Sequence, residues 1–219
     1  MDNRINFHQA LDQLQEKLLE MGGQVQDMIV QAVKALARQD EKLARQTIAQ
    51  DDRIDEMTLT IEEESLRLIA LQRPMASDLR IISAALKIAT DLERIADHAV
   101  DIAKICLRLN GEELVKPLET IPQMAELSQI MLRESLLAFT ERDVHRAAAL
   151  AEKDDQVDKL YSGVANESLQ LMGSDFAVNR QLTQLLLTAH FLERVADHTT
   201  NIGEGVIYMV TGKRKDLNI

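Results

Sequence analysis

Glu93, Asp97 and Asp101 follow one another at intervals of four, and Glu193, Asp197 and Asn201 repeat the pattern one hundred positions later. On a helix turning about 100° per residue, a four-residue interval places side chains on one face, so each set forms a stripe about 80° wide. Asp51 and Asp55 make a third such set, and Asp154 and Asp158 a fourth. Carboxylates packed this way repel unless a cation sits among them. Oxygen-only ligands suit hard or borderline ions, with iron, manganese, zinc or magnesium all admissible, and bridging carboxylates permit a multinuclear cluster. The competing reading is a set of solvated helix faces neutralised by Arg94, Arg194 and nearby lysines. Recurrence of both stripes in both halves favours the metal.

The acids lie within a repeat. Leu92-Glu93-Arg94-Ile95-Ala96-Asp97-His98 matches Leu192-Glu193-Arg194-Val195-Ala196-Asp197-His198 at all but one position. Asp40, Asp51, Asp52, Asp55 and Glu64-Ser65-Leu66 likewise return as Asp143, Asp154, Asp155, Asp158 and Glu167-Ser168-Leu169. A repeat of this length is the mark of a duplicated structural unit. The expected division is residues 1–112 and 113–219, each half burying a core of its own.

The elements that must position the acids are helices. Apolar residues recur at helical spacing from Phe7 to Arg38, interrupted by Gly22-Gly23, where a bend or a close helix approach is expected. Asp40 is a good N-cap for a second helix reaching Leu71, and Arg73-Pro74 ends it. Pro74 also suits the first turn of a third helix, which runs to Leu109 and stops at Asn110-Gly111. The second half reads alike: Ile121 to Thr140, Asp143 to Met172, and Asp175 or Ala177 to Met209. The fold class is therefore all-α, two tandem and similar three-helix bundles with six long helices. The tight turn at Pro74 makes its flanking helices antiparallel, and Asp55 and Glu93 are equally far from it along the chain, so the two stripes should lie level.

Composition narrows the function. With 25 basic and 36 acidic residues the 219-residue chain carries a net charge of −11, which disfavours nucleic acid and favours cations or basic protein surfaces. No apolar run approaches the roughly 18 residues of a membrane span. The start shows no basic-then-apolar signal and Cys106 stands alone, so a reducing, cytoplasmic location is expected. Cys106 sits among apolar helical residues and reads as core filler. Neither a Gly-x-Ser-x-Gly turn nor a nucleotide-binding loop is found, so catalytic turnover is not expected. His98 and His198 fall away from the carboxylate stripe and read as polar or inter-helix packing residues, with a secondary ligand role as the alternative. A metalloenzyme on a helical bundle, or a metal-free helical scaffold, are the alternatives from other classes.

The repeated Leu-Glu-Arg-Ile/Val-Ala-Asp-His segment, together with Arg73-Pro74-Met75-Ala76-Ser77-Asp78-Leu79-Arg80, resembles the PhoU family across nearly the whole chain. That resemblance implies a regulator of phosphate transport and homeostasis. It would act negatively on the phosphate ABC transporter, through its ATPase, and on a phosphate-sensing histidine kinase, and it would form a homodimer. It further implies metal binding at Asp51, Asp55, Glu93, Asp97 and Asp101, and at Asp154, Asp158, Glu193, Asp197 and Asn201. Asn201 offers a neutral carbonyl oxygen in place of a carboxylate, so the second site is expected to hold fewer or more weakly bound cations. The junction at Arg73-Pro74 becomes Gly173-Ser174-Asp175 in the second half.

Overall fold

A computed structural model of the chain describes residues 2–72, 74–109 and 111–217, excepting the side chains of residues 2–6 and 72. Arg73 and Asn110, expected to end two helices, lie outside the described residues. Eight helical segments follow in order, all of the described regular structure being α: α1 Asp2–Arg38, α2 Glu41–Ile48, α3 Asp51–Gln72, α4 Ala76–Leu109, α5 Thr120–Glu141, α6 Val144–Ala148, α7 Leu150–Leu171 and α8 Phe176–Thr211. The second half repeats the first segment by segment.

Two of the six expected rods are broken near their starts. The helix expected from Asp40 to Leu71 parts at Ala49-Gln50 into α2 and α3, and its counterpart from Asp143 to Met172 parts at Ala149 into α6 and α7. At the first break the Gln50 N–H turns back to the Thr47 carbonyl at 3.1 Å, a three-residue closure that tightens the turn and redirects the rod. Apolar spacing continues across both breaks, which is why periodicity alone does not reveal them.

The N-caps behave as expected. Asp40 accepts from the Leu43 N–H, and Asp143 from the N–H groups of His145 and Arg146. Each cap is preceded by a left-handed residue, Gln39 (φ 50°) and Arg142 (φ 54°), which closes the preceding helix. The Asp40 N–H then reaches the Ala35 carbonyl and the Asp143 N–H the Ala138 carbonyl, both at 2.9 Å. Identical chain reversals thus deliver α3 and α7 to their partners.

Gly22-Gly23 marks a close approach, and α1 runs unbroken through it. A methyl group at Gly22 would strike Leu136 Cδ1 of α5, so the missing side chain lets the first helices of the two halves meet. Gly203 does the same on α8, where a Cβ would come within 2.8 Å of Leu150 Cδ1 and 3.1 Å of the Ala147 carbonyl. The halves do not keep separate cores. The buried apolar residues of both form one continuous cluster, whose spine is the pairing of α4 with α8.

That pairing is antiparallel and self-complementary. Arg80 Nε donates to the Met209 carbonyl at 3.1 Å near the start of α4, Asp91 meets His198 near the middle, and Arg108 donates to Gln184 Oε1 at 3.2 Å toward the end. The repeated seven-residue segment therefore packs against its own copy. Small residues, among them Ala85, Ala89, Ala96, Ala99 and Ala103, are buried along α4. The chain between halves is pinned by buried Gln181, whose amide donates to the Glu113 carbonyl and accepts from the Val115 N–H. Among the described residues, no helix is long and apolar enough to cross a membrane.

Candidate metal centre

In the first half, α3 and α4 bring their acidic stripes face to face. Burial raises the Asp51 carboxyl, with the charges of Asp55 and Asp97 adding to it and Lys104 opposing. Burial also raises Glu93, with Asp97, Asp55 and Asp51 contributing and Arg94 opposing. Four acids from two helices thus share one electrostatic environment, as the equal distances from Pro74 predict. Asp101 engages Lys104 instead, its Oδ1 lying 3.5 Å from Nζ. The fifth acid of the first site is drawn toward a lysine.

The second half repeats the site and buries it deeper. Asp154, only 6 % exposed, faces Asp158 of its own helix and Asp197 and Glu193 of α8. Burial first, and those charges next, push its carboxyl up to about 7. Asp158 and Glu193 are raised as well, again chiefly by burial. Asn201 is half-buried farther along α8. Asp51 opens α3, whereas α7 has already begun at Leu150 when it reaches Asp154.

Both readings of the acids leave a trace. Arg94 Nη1 holds Asp97 Oδ2 at 2.9 Å and Arg194 Nη1 holds Asp197 Oδ2 at 2.8 Å, as neutralised helix faces would. Such partly exposed pairs contribute little, about 0–1 kcal/mol. Asp154 Oδ1 is buried with no hydrogen-bond partner. An orphaned carboxylate oxygen at the bottom of an acidic cluster fits a bound cation, and the donor set fits hard or borderline dications. Among the described residues, no three His, Cys, Asp or Glu side chains are already gathered closely enough to hold an ion. An ion would have to compete with the arginines and draw the acids inward.

The histidines of the repeat lie at the contact between α4 and α8, in the packing role their position on the helix implied. His98 stacks on Phe191 with ring centroids 5.5 Å apart and stands 5.7 Å from the His198 ring. Burial, then the neighbouring His198 and Arg194, push His98 down to about 4. One residue escapes a search restricted to Glu-x-x-His spacing. His190 precedes Glu193 by three positions, the same helical interval read in reverse, and its Nδ1 lies 3.2 Å from Glu193 Oε2. The contact with Oε2 is ionic in distance without hydrogen-bond alignment.

An all-helical chain with two related halves and a paired acidic cluster in each defines a class of duplicated, acid-lined helical proteins. The PhoU domain model matches it twice, over residues 18–106 and 121–206. The chain belongs to the PhoU family. It is 44% identical over 213 residues to a phosphate-specific transport system accessory protein PhoU homolog of Clostridium acetobutylicum, covering 97% of each chain. A homolog of that description from Streptococcus pneumoniae is 36% identical over 215 residues, with 98% of this chain and 100% of the relative covered. The fold is that of solved family structures. The crystal structure of PhoU from Pseudomonas aeruginosa superposes with a TM-score of 0.90 at 35% identity, covering 94% of this chain and 100% of that one. The phosphate transport system regulatory protein PhoU from Streptococcus pneumoniae gives 0.88 at 35% identity, covering 96% and 99%.

Proposed function

We propose that this chain is a cytoplasmic, metal-binding accessory regulator of phosphate uptake that restrains the phosphate-starvation response by docking, without catalytic turnover. The family it belongs to supports the regulatory role in phosphate transport. The observation that carries the metal reading is the buried, unpartnered Oδ1 of Asp154 at the centre of a carboxylate cluster that the first half reproduces. Cations neutralise the clusters, hold α3 against α4 and α7 against α8, and so stiffen the surfaces that partners meet.

Docking draws support from the helix-pair tips. Leu66, Leu71 and Met75 are exposed at the turn between α3 and α4, and Leu169, Leu171 and Phe176 at the turn between α7 and α8, with Phe176 81 % exposed. Because α4 and α8 are antiparallel, these tips face opposite ends of the molecule. That disposition suits a protein that works between two others, here the phosphate ABC transporter ATPase and the phosphate-sensing histidine kinase. Self-association as a homodimer completes the proposal.

Two measurements test it. Elemental analysis of untagged protein purified without chelator should find bound metal, and replacing Glu93 and Asp97 by Ala should remove roughly half of it. Unchanged stoichiometry would reject the site assignment. Affinity capture from phosphate-replete and phosphate-starved cells should recover the transporter ATPase or the kinase in one state more than the other. Recovery of neither protein, or equal recovery in both states, would sink the docking role.

A further inference from the structure

The two acidic clusters differ in three ways that the repeat conceals. First, Lys104, which pairs with Asp101 beside the first cluster, is replaced in the second half by Glu204. Glu204 accepts the Leu217 N–H at 2.9 Å, which ties it to the C-terminal segment. Second, the position of Thr90 is taken by His190. Thr90 Oγ1 donates to the Leu86 carbonyl of its own helix at 3.1 Å, whereas His190 Nδ1 stands 3.2 Å from Glu193 Oε2, with the Tyr161 ring of α7 6.0 Å away. Third, Asp154 is more than nine-tenths buried and Oδ1 is left without a partner, while the charges of Asp158, Asp197 and Glu193 bear on it.

We infer that the second half binds its ion through a mixed nitrogen and oxygen set, with His190 joining Asp154, Asp158, Glu193 and Asp197, and so prefers a borderline transition-metal dication such as Mn²⁺, Fe²⁺ or Zn²⁺. The first half, all-oxygen and faced by Lys104, takes a hard ion more weakly. Imidazole suits manganese, iron and zinc, whereas magnesium and calcium prefer oxygen alone. The inference rests on the metal reading of the acids and reverses the ranking that Asn201 alone implies. His98 and His198 are not part of the set, because they are committed to the contact between α4 and α8.

Pulsed EPR on the full chain loaded with Mn²⁺ tests this directly. Histidine nitrogen coupling should appear in the wild type and in Glu93→Gln/Asp97→Asn, and should disappear in His190→Gln. Mn²⁺ affinity in His190→Gln should fall by at least about tenfold, the scale on which even outer-shell partners act. His190 is partly exposed, so that variant should keep its circular dichroism spectrum. Mn²⁺ bound without nitrogen coupling, or coupling that persists in His190→Gln, overturns the role of His190 and leaves the metal reading standing. No Mn²⁺ bound by the wild type overturns both.

Discussion

Asp91 Oδ1 on α4 lies 3.0 Å from His198 Nδ1 on α8, and the position that the repeat equates with Asp91 holds Phe191, which stacks on His98. One contact thus occurs twice across the same antiparallel crossing, once as a polar pair and once as stacked rings. The internal two-fold relation is kept in geometry and broken in chemistry.

Removing one member of the polar pair should cost more than removing both. His198→Phe leaves the buried Asp91 without its partner and should destabilise by about 3 kcal/mol, whereas Asp91→Phe with His198→Phe, an apolar crossing on both sides, should recover at least half of that. Urea unfolding of the two variants measures the difference; equal losses would show the pair to be uncoupled.

Metal-free protein should lose stability as pH rises from about 4 to 7. The Asp154 carboxyl is raised from 3.8 to about 7, so the native state holds a proton that the unfolded chain has released across that window. Its contribution is complete below pH 4 and lost as pH climbs through 7, on the order of 2 kcal/mol. Asp154→Asn should flatten the fall in Tm between pH 4 and 7, and saturating divalent metal should do likewise in the wild type.

His98 works in the opposite sense. It is lowered from 6.5 to about 4, so its neutral form favours the fold above pH 6.5 and that contribution disappears as pH falls toward 4. A His98→Phe variant, ring for ring, should therefore be more resistant to acid than the wild type, and thermal melts at pH 5 would read the gain. A loss of acid resistance would remove His98 from the account.

Filling the gap at Gly22 should separate the first helices of the two halves. Gly22→Ala gains helix propensity of about 1 kcal/mol but drives a methyl into Leu136, and overpacking of this kind costs about 1–3 kcal/mol. Net destabilisation is expected in a denaturant titration, with Leu136→Ala in the same chain restoring part of it. Gly23 has nothing within 4 Å of a Cβ, so Gly23→Ala should be stabilising and serves as the control.

Helical periodicity, caps at Asp40 and Asp143, and the repeated acids were readable from residue order, because each depends on neighbours within a few positions of the chain. The pairing of Asp51 and Asp55 with Glu93 and Asp97 was also readable, since a tight turn forces two antiparallel rods into one register. The breaks at Ala49-Gln50 and Ala149 were not, because apolar spacing carries on through them. Nor was the merging of two cores into one: a helical stripe declares that it must be buried, never against which other helix. Only the crossing of α4 on α8 decided that His98 would meet Phe191 and that His198 would meet Asp91. Burial and partner choice belong to contacts between residues a hundred positions apart, where linear order holds no information on distance.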